Sequence, residues 1–492
     1  MNRSTARSQI FFSCIRKNKL QGSVPVLGQV LMVLSRLIAG LFLLTSCSEA
    51  ERISIDASST AGLLLQGGVE ASRNRSGATP DSKEITSFRF NAAENSFAAD
   101  FVGEISGTQI TVSVPFGAIR RLKATFANTG AGVQVNGVSQ TSAQTENDFS
   151  SSLVYRVTAK NGSFTDYTVN VIPTFRLTDA GQTNCYSSCA ADPGQDAAYT
   201  TGVPASFQSN VVLSSYSPQP VTFDRQTGLI WKNCPAGSSN VSCTTIYNYT
   251  QPTASSYCTG LNSMNAGSGY AGLQGWRLPN IEELISLSTF KTSGASAFID
   301  TADFPNGLGG YWSNDTDQSD SSKRWVFNYT NGLNFSQDTN AGYYVRCVTG
   351  GSMPARSYSD LNDGSVRDNR TGLVWQKCSV GQTWSSGSPS CTSGTATIHN
   401  WTSALITCGT SNLAGKSWRL PNAHELISLV DFTSPSSGAK IDASAFPNTP
   451  PTGIYHTSNS SPGIHVFRVR FGDARIDTTA VSTQNYVRCV TD

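Results

Sequence analysis

The chain has 492 residues, of which 38% are hydrophobic and 14% charged, with a formal net charge of +2. This length indicates several domains, and the near-neutral charge excludes the strongly basic surface that nucleic-acid binders use. Twelve cysteines against four methionines favour an exported protein in an oxidising compartment, where disulfides persist.

The first 47 residues have the features of an export signal. Residues 1–31 form a long basic leader, and Met32, the predicted true start, begins a better-formed signal peptide with Arg36 and an apolar run of eight residues. Because a bilayer span needs about 20 residues, this run is a signal core rather than a membrane helix. It ends in Leu-Thr-Ser-Cys, which resembles the lipobox of bacterial lipoproteins. The alternative is an ordinary secretory signal beside an unrelated Cys47.

Lipidation of Cys47 would hold the chain on a membrane. Acyl chains such as palmitate contribute roughly 0.8 kcal/mol per buried methylene, so several chains anchor a protein firmly. Ser48 after the cysteine favours sorting to the outer membrane. Removal of the leader leaves 29 basic and 33 acidic residues, a net charge of −4. Residues 48–82 are rich in Ser, Ala and Gly and are predicted to be a flexible tether.

Residues 83–173 alternate between apolar and polar side chains, which is the pattern of half-buried strands. Ile110 and Val112 share one face, and Asn161 followed by Gly162 is a strong signal for a hairpin turn. Short strands without cysteine predict a β-sandwich, similar to the Ig-like modules strung along bacterial surface proteins. We interpret this domain as a spacer.

A tandem duplication dominates the rest of the chain. The sequence Trp-Arg-Leu-Pro-Asn begins at Trp276 and again at Trp418. A Thr-Gly-Leu-(Ile/Val)-Trp run precedes each copy, and Tyr-Val-Arg-Cys-Val-Thr follows each. A repeat of this length indicates two complete domains rather than a solenoid of small units. We assign repeat 1 to residues 177–349 and repeat 2 to residues 354–492.

Within each repeat the motif predicts a strand end, a Pro-Asn turn and a helix. Asn280 and Asn422 would cap the helices, with Glu283 and Glu425 three residues on completing a capping box. Arginines that recur in both copies suit a structural role, pairing with carboxylates or carbonyl groups inside the fold. The predicted structural residues are Trp276, Arg277, Pro279, Glu283 and Arg346 in repeat 1, and Trp418, Arg419, Pro421, Glu425 and Arg488 in repeat 2.

The cysteines predict a disulfide framework. Cys185 and Cys189 are close enough to pair locally. Of the four further cysteines in each repeat, the first two lie in one Gly/Ser-rich loop and would pair locally, whereas pairing the third with the fourth would tie the start of the domain to its end. Closing such long loops restrains the unfolded chain by roughly 4–5 kcal/mol. A zinc site is the alternative, although no C-x-x-C pair occurs. The cysteines concerned are Cys185 and Cys189, then Cys234, Cys243, Cys258 and Cys347, then Cys378, Cys391, Cys408 and Cys489.

The motifs T-G-L-[IV]-W, W-R-L-P-N-x-x-E-L-x-S-L and Y-V-R-C-V make both repeats resemble the Lcl C-terminal domain family, named after a bacterial collagen-like adhesin. The R-L-P turn and the terminal arginine-bearing strand are also similar to the C-type-lectin-like fold of formylglycine-generating, sulfatase-modifying enzymes. The implied fold class is multidomain: an all-β Ig-like sandwich followed by two α+β C-type-lectin-like domains. The namesake adheres to sulfated glycosaminoglycans, so the resemblance implies binding, although this chain lacks collagen repeats.

Three arginines of repeat 2 form one candidate ligand site. Arg468 and Arg470 alternate on a predicted strand, and Arg475 lies just past the next turn. Guanidinium groups so placed could clamp a sulfate or carboxylate bidentately. The alternative is an ordinary solvated strand face.

A second candidate lies in repeat 1, where Trp312 precedes Asn314 and Asp315. A tryptophan beside oxygen ligands resembles the calcium-and-sugar loop of lectins, because Ca²⁺ prefers hard oxygen donors. The Glu-Pro-Asn partner element of such loops is missing, so a turn-rich loop is the alternative. We expect no cofactor, with calcium as the one ion to consider.

We therefore predict a lipid-anchored protein of the outer membrane and cell surface that binds glycans or other host or matrix ligands. The alternative is a structural envelope lipoprotein that binds another protein. Neither hypothesis involves nucleic acid. No enzyme is expected, because all four histidines lie in repeat 2 and no nucleophile motif occurs. A glycosidase pair of Glu425 and Asp442 is the remaining catalytic hypothesis.

Overall fold

The computed structural model describes residues 10–12, 51–53 and 79–492, apart from 187, 200–201, 214, 217, 239–242, 291–296, 436 and 462–464. Most of the predicted leader, the lipidation site Cys47 and most of the predicted tether lie outside these residues. Ile10–Phe12 (β1) pairs with Glu51–Ile53 (β2), and residues 80–492 form one compact unit. Among the described residues, no helix has the length and apolarity that a bilayer span requires.

The first domain of the compact unit is the predicted β-sandwich. A six-stranded sheet in the order β10-β9-β12-β13-β6-β5 and a three-stranded sheet in the order β4-β3-β8 share one apolar core. Its strands and helix are β3 (Ile85–Phe90), α1 (Ala92–Asn95), β4 (Phe101–Val102), β5 (Glu104–Ser106), β6 (Gln109–Pro115), β7 (Leu122–Lys123), β8 (Thr125–Asn128), β9 (Gly132–Val135), β10 (Val138–Ser139), β11 (Glu146–Asn147), β12 (Leu153–Thr158) and β13 (Phe164–Thr174).

Local sequence explains how this sheet forms. Ile110 and Val112 point into the core from β6 because alternate residues of a strand face the same side. The hairpin between β12 and β13 turns at Asn161 and Gly162, as predicted. Gly162 has φ of +83°, a conformation that residues with a side chain rarely adopt.

The two repeats follow one plan, in which the entry motif and the terminal motif are neighbouring strands. Trp231 of the first entry motif pairs with Val348, and Trp375 of the second pairs with Val490. The beginning and end of each repeat therefore lie together. A second sheet completes each repeat, in the order β17-β18-β19 in repeat 1 and β26-β30-β27-β28-β29 in repeat 2.

The elements of repeat 1 are β14 (Phe207–Val211), β15 (Val221–Asp224), β16 (Ile230–Lys232), α2 (Gln251–Gly260), α3 (Met264–Gly267), α4 (Ile281–Ser286), β17 (Gly310–Thr316), β18 (Lys323–Asn328), β19 (Leu333–Asp338) and β20 (Val348–Thr349). Those of repeat 2 are β21 (Tyr358–Asp360), β22 (Ser365–Asp368), β23 (Val374–Gln376), β24 (Gln382–Ser385), β25 (Ser388–Gly394), β26 (Ile398–His399), α5 (Trp401–Gly409), α6 (Ala423–Ser428), β27 (Ile454–Ser461), β28 (His465–Arg470), β29 (Arg475–Ala480), β30 (Asn485–Tyr486) and β31 (Val490–Thr491).

The predicted capping boxes are present at the start of α4 and α6. The Asn280 side chain accepts a hydrogen bond from the Glu283 amide at 2.7 Å, and the Glu283 carboxylate accepts one from the Asn280 amide at 2.8 Å. Asn422 and Glu425 make the same two bonds in repeat 2. Two otherwise unpaired N–H groups are thereby satisfied at each helix start, which fixes where the helix begins.

All ten described cysteines form disulfides, in the pairing that the sequence predicted. Because these sulfurs are bonded to one another, they are not available as zinc ligands. The pairs are Cys185–Cys189, Cys234–Cys243, Cys258–Cys347, Cys378–Cys391 and Cys408–Cys489.

The repeats pack against each other through equivalent elements, as in a two-fold dimer. The ring of Trp325 lies 5.4 Å from that of Phe432, and the ring of Phe467 lies 4.9 Å from that of Phe290. Phe467 has the strand position in repeat 2 that Trp325 has in repeat 1. The same contact is therefore made twice, and the two domains share one apolar core.

Residues 177–196, the segment before repeat 1, lie within the predicted range of that repeat but contact repeat 2. Gln182 donates to the Ser460 hydroxyl at 2.7 Å, and the Thr402 hydroxyl donates to Asp192 at 2.9 Å. These partners belong to repeat 2. Polar side chains of this segment find their hydrogen-bond partners in the distant repeat, which sequence order does not reveal.

Candidate ligand-binding site

The motif arginines next to the helix starts form internal ion pairs. Arg277 donates to both oxygens of Glu283 at 2.7 and 2.6 Å, and Arg419 donates to both oxygens of Glu425 at 2.7 Å. The carboxylates are buried. Each glutamate thus satisfies the helix start and the arginine at once, and neither is free to meet a ligand.

The arginines of the terminal motif are enclosed in the cores. Arg346 and Arg488 are fully buried, and their guanidinium groups lie 5.1 Å from the ring of Phe304 and 4.8 Å from that of Phe446. Both donate to backbone carbonyl groups. Contact with an aromatic face and carbonyl oxygens stabilises a buried guanidinium group, so the predicted structural interpretation fits these residues.

The predicted arginine clamp is assembled, but its guanidinium groups are already ion-paired to neighbouring carboxylates. Arg468 is paired with Asp477, and Arg470 lies 2.9 Å from Asp473 and 3.3 Å from Asp477. Arg475 lies 3.8 Å from Asp473. Three guanidinium groups therefore share two carboxylates that the prediction did not take into account, and the prediction of a free anion clamp is wrong.

The predicted calcium-and-sugar loop is also corrected. Trp312 is fully buried, and its indole N–H donates to the Tyr249 carbonyl at 2.7 Å, so its ring is not available to a sugar. Asp315 accepts a hydrogen bond from the Ile281 amide at the start of α4. Asn314 is exposed. In the described part of the chain, no cluster of three or more His, Cys, Asp and Glu side chains could hold a metal ion.

The exposure of the tryptophan side chains indicates a different candidate ligand site. The chain has eight tryptophans, and seven are buried with at most 3% of their surface exposed. Trp384 is the exception and is partly exposed. It lies on β24 of a hairpin, β24–β25, that repeat 1 lacks in its described residues and that the Cys378–Cys391 disulfide closes.

A cleft of about 360 Å³ opens between this hairpin and helix α5. Gln376 donates to the Ser411 hydroxyl at 2.8 Å, and Gln382 donates to the Asn448 carbonyl at 3.0 Å, so both amides are held in place. None of the lining residues carries a charge. We call this space the Trp384 cleft; its polar lining residues are Gln376, Ser379, Gln382, Thr383, Thr407, Thr410 and Ser411.

Two families match the sequence. The profile described as Lcl C-terminal domain matches residues 220–349 and 364–491, more than half of the chain. The chain belongs to the Lcl C-terminal domain family. A second profile, described as "SGBP, N-terminal", matches residues 85–171, the β-sandwich. No curated protein matches the chain.

In this member of the Lcl C-terminal domain family, the family motifs and the Trp384 cleft are separate features. The motif residues form caps, ion pairs and core contacts, whereas the cleft is built by a hairpin between the family's entry motif and its first helix. Sequence reasoning missed Trp384. The available signal was a single tryptophan in a Ser/Gly-rich loop whose cysteines are 13 residues apart in repeat 2 but nine apart in repeat 1.

Proposed function

We propose that this protein is a non-catalytic, lipid-anchored glycan-binding protein of the bacterial outer membrane. The observation that carries the proposal is the match of the β-sandwich to the N-terminal domain of surface glycan-binding proteins, followed by two Lcl C-terminal domains. The lipobox-like sequence ending at Cys47 supports anchoring through acyl chains, palmitate included. The tether and the sandwich then act as spacers that carry the repeats away from the membrane.

Within this proposal the repeats are lectin-like domains, and the Trp384 cleft of repeat 2 binds the glycan. A partly exposed indole ring offers a flat apolar face for the C–H groups of a sugar ring. The amides and hydroxyl groups around it match the hydrogen-bonding pattern of sugar hydroxyls. A volume of about 360 Å³ is within the range of small-molecule sites.

The chemistry of the cleft favours neutral glycans over the sulfated polysaccharides that the family resemblance implies. Its lining has no cation to attract a sulfate, and the arginines of β28 and β29 are paired with Asp473 and Asp477. The chain after the lipobox also carries net negative charge. Long-range attraction of a polyanion is therefore not expected.

The non-catalytic part of the proposal is supported by the state of the remaining carboxylate pair. Glu425 is bound by Arg419 and by the Asn422 amide. Asp442 accepts hydrogen bonds from the amides of Ser444 and Ala445. A glycosidase needs one carboxylate that donates a proton and one that attacks or activates water, and Glu425 is committed elsewhere.

A glycan array probed with residues 48–492 tests the proposal, at low and physiological salt and with or without a calcium chelator. The expected result is binding to neutral glycans that neither salt nor chelation reduces. Binding confined to sulfated glycans, and lost at physiological salt, would instead indicate that the site is the arginine strand, the part of β28 and β29 that carries Arg468, Arg470 and Arg475. Absence of binding to every glycan would contradict the proposal. Metabolic labelling with a palmitate analogue, compared with Cys47→Ala, tests the anchor.

A further inference from the structure

A second cleft lies at the start of helix α4 in repeat 1. It has a volume of about 440 Å³ and is bounded on one side by residues 353–356, which connect the two repeats. Phe432 of repeat 2 closes one wall. We call it the repeat-1 cleft; the residues that matter for its chemistry are Glu282, Asp315, Arg356, Arg370, Asp431 and Asp442.

Repeat 2 has the corresponding place at the start of α6. Asp315 accepts a hydrogen bond from the first amide of α4, and Asn459 accepts one from the first amide of α6 at 2.7 Å. The residue that precedes Asp315 or Asn459 matches as well. In both repeats its backbone amide donates to the carbonyl group of the motif proline. These bonds are Asn314 to Pro279 at 2.8 Å and Ser458 to Pro421 at 2.7 Å. The two helix starts are therefore structurally equivalent.

In repeat 2 this place is filled by the chain itself. The Asn459 side-chain amide donates to Gln182 at 3.1 Å and to the Asp196 carboxylate at 2.9 Å, and the Ser460 amide donates to Gln182 at 3.0 Å. Gln182 and Asp196 belong to the segment before repeat 1, which also contains the Cys185–Cys189 disulfide. A folded peptide segment thus closes the site.

The connection before repeat 2 has no counterpart of that segment. Phe207 begins β14 and packs on Phe304, and Tyr358 begins β21 and packs on Phe446 in the same way. Residues 350–357 reach Tyr358 directly, without a disulfide loop. The equivalent place in repeat 1 therefore stays open as the repeat-1 cleft.

Its chemistry is opposite to that of the filled site. Asn459 offers N–H groups to the oxygens of Gln182 and Asp196, whereas an ionised Asp315 can only accept. Among the described residues, the single hydrogen bond to the Asp315 carboxylate comes from the Ile281 amide. Burial, with Glu282 and Glu283 nearby, raises the pKa of this carboxyl to about 6.

The charges around Asp315 favour a cation. Glu282 is paired with Arg356 at 2.8 Å and with Arg370 at 3.0 Å. Within the described part of the chain, the other three carboxylates of the cleft have one long ion-pair contact among them, 3.8 Å between Arg356 and Asp431. Four carboxylates face two guanidinium groups in the cleft, a net charge of −2. A cation placed there is attracted electrostatically by each carboxylate that is not already neutralised.

We propose that the repeat-1 cleft binds a peptide segment of another protein and receives its lysine or arginine side chain against Asp315. The filled site of repeat 2 shows that this frame accommodates a peptide. The buried ring of Phe432 forms a wall for the aliphatic stem of the basic side chain. This interaction is separate from glycan binding at the Trp384 cleft.

Calorimetric titration of residues 48–492 with capped pentapeptides tests the proposal. The probes are acetyl-Gly-Ala-Arg-Ala-Gly-amide, its lysine analogue, and the analogue in which neutral citrulline replaces arginine. We expect the arginine and lysine peptides to bind at least about tenfold more tightly than the citrulline peptide, because only they carry the charge that the carboxylates attract. Equal affinity of the arginine and citrulline peptides would overturn the proposal, as would absence of binding.

Two variants locate the interaction. Asp315→Asn keeps the helix-start acceptor, as Asn459 does in repeat 2, and is expected to abolish the preference for the charged peptides. Thr433→Trp fills the cleft and is expected to abolish binding of all of them. Binding that survives both variants would overturn the proposal. Trp384→Ala is the matched control and should leave peptide binding unchanged; competition by a glycan for this cleft would also overturn it.

Discussion

The two repeats fill the same interior position in opposite ways. In repeat 1 the ring of Trp312 packs against Tyr343 at 5.1 Å, and Tyr343 packs against Phe335 at 5.8 Å. The indole N–H bonds the Tyr249 carbonyl. Apart from that satisfied donor and the Tyr343 hydroxyl, this group is apolar, and it contains no charge.

Repeat 2 has a polar network at the corresponding strand positions. His456 replaces Trp312, and its Nε2 lies 2.9 Å from the His399 carbonyl oxygen. Arg468 and Asp477 replace the Val326–Phe335 pair of the adjacent strands. Arg468 also donates to Asn485 at 3.4 Å.

This difference shows which parts of the repeat are scaffold. The caps, the ion pairs at the helix starts and the long-range disulfides recur in both copies. Three features differ between them: the interior of the second sheet, the β24–β25 hairpin, and the segment that fills the helix start in repeat 2. An apolar cluster depends on packing alone, but a polar network requires every partner to be present. We therefore expect the shared parts to respond alike to mutation and the divergent parts to respond differently.

The largest expected effect is on the shared ion pairs. Glu283→Ala leaves Arg277 without its carboxylate, and Glu425→Ala leaves the buried Arg419 with only the exposed Asp492 as a partner. Each change also removes a capping box, so each should lower the free energy of unfolding by about 3–5 kcal/mol. The loss should be larger for Glu425→Ala, because the Arg419 side chain is 7% exposed and that of Arg277 is 32% exposed.

Urea unfolding followed by tryptophan fluorescence measures this effect, since every tryptophan lies in the repeats. Glu104→Ala on the exposed surface of the sandwich is the control and should change stability by no more than about 0.5 kcal/mol. Losses below about 1 kcal/mol in both repeats would show that the shared ion pairs are not part of the scaffold.

The second effect is acid sensitivity specific to repeat 2. Burial lowers the pKa of His456 to about 4, whereas an unfolded histidine titrates near pH 6.5. The contribution of neutral His456 to the free energy of unfolding is complete above about pH 6.5. It is lost as the pH falls towards 4, because the unfolded chain takes up the proton first. Between pH 7 and 4.5 this amounts to about 2–3 kcal/mol.

His456→Gln should remove that part of the pH dependence while keeping an N–H donor. Trp312→Phe in repeat 1, where no group titrates at this position, is the comparison and should retain the wild-type pH dependence. Urea midpoints at pH 7 and 4.5 give the measurement. An unchanged loss of stability in the His456→Gln protein would contradict the account of the network.

The third prediction concerns exchanges between Asp and Asn at the two helix starts. Asn459→Asp places a carboxylate against Asp196 and removes the N–H donors that Gln182 and Asp196 use, which should cost about 1–3 kcal/mol at pH 8. Asp315→Asn makes the opposite change where no peptide is bound and should be neutral or stabilising. Equal effects of the two exchanges on the urea midpoint would show that the sites are not distinguished by the bound segment.

The smallest effect concerns the arginine strand. Arg470 and its partner Asp473 are each 36% exposed, so Arg470→Ala should lower stability by less than about 1 kcal/mol, as for other surface ion pairs. Glycan binding measured by calorimetry should be unchanged. A variant that folds normally but loses glycan binding would move the site from the Trp384 cleft to this strand.

Local features of the fold were predictable from sequence. The spacing of Asn280 and Glu283 defines a capping box within four residues, and the hairpin at Asn161 and Gly162 depends on one turn. The disulfides followed from the positions of the cysteines in a duplicated frame. Each of these depends on short segments or on the repeat itself, and both are visible in one sequence.

Features that depend on register and distant contacts were not predictable. The sequence places Trp312 in a sugar-binding loop because strand pairing, which puts it in the interior, cannot be read from one strand. The partners of Arg468 lie across a turn, and Gln182 finds Ser460 in the other repeat. Trp384 was missed because its exposure follows from where the hairpin lies over α5.

The most direct test of the central claim is the affinity of residues 48–492 for the strongest glycan from the array, measured by calorimetry for wild type, Trp384→Ala and Tyr247→Ala. Tyr247 is an exposed aromatic residue of repeat 1, with 56% of its surface accessible, and it lies outside the cleft. We predict that Trp384→Ala weakens binding about fivefold or more, since aromatic contacts of this kind contribute roughly 1 kcal/mol or more. Tyr247→Ala should bind like wild type. Wild-type affinity in the Trp384→Ala protein would contradict the claim that the hairpin of repeat 2 forms the glycan site.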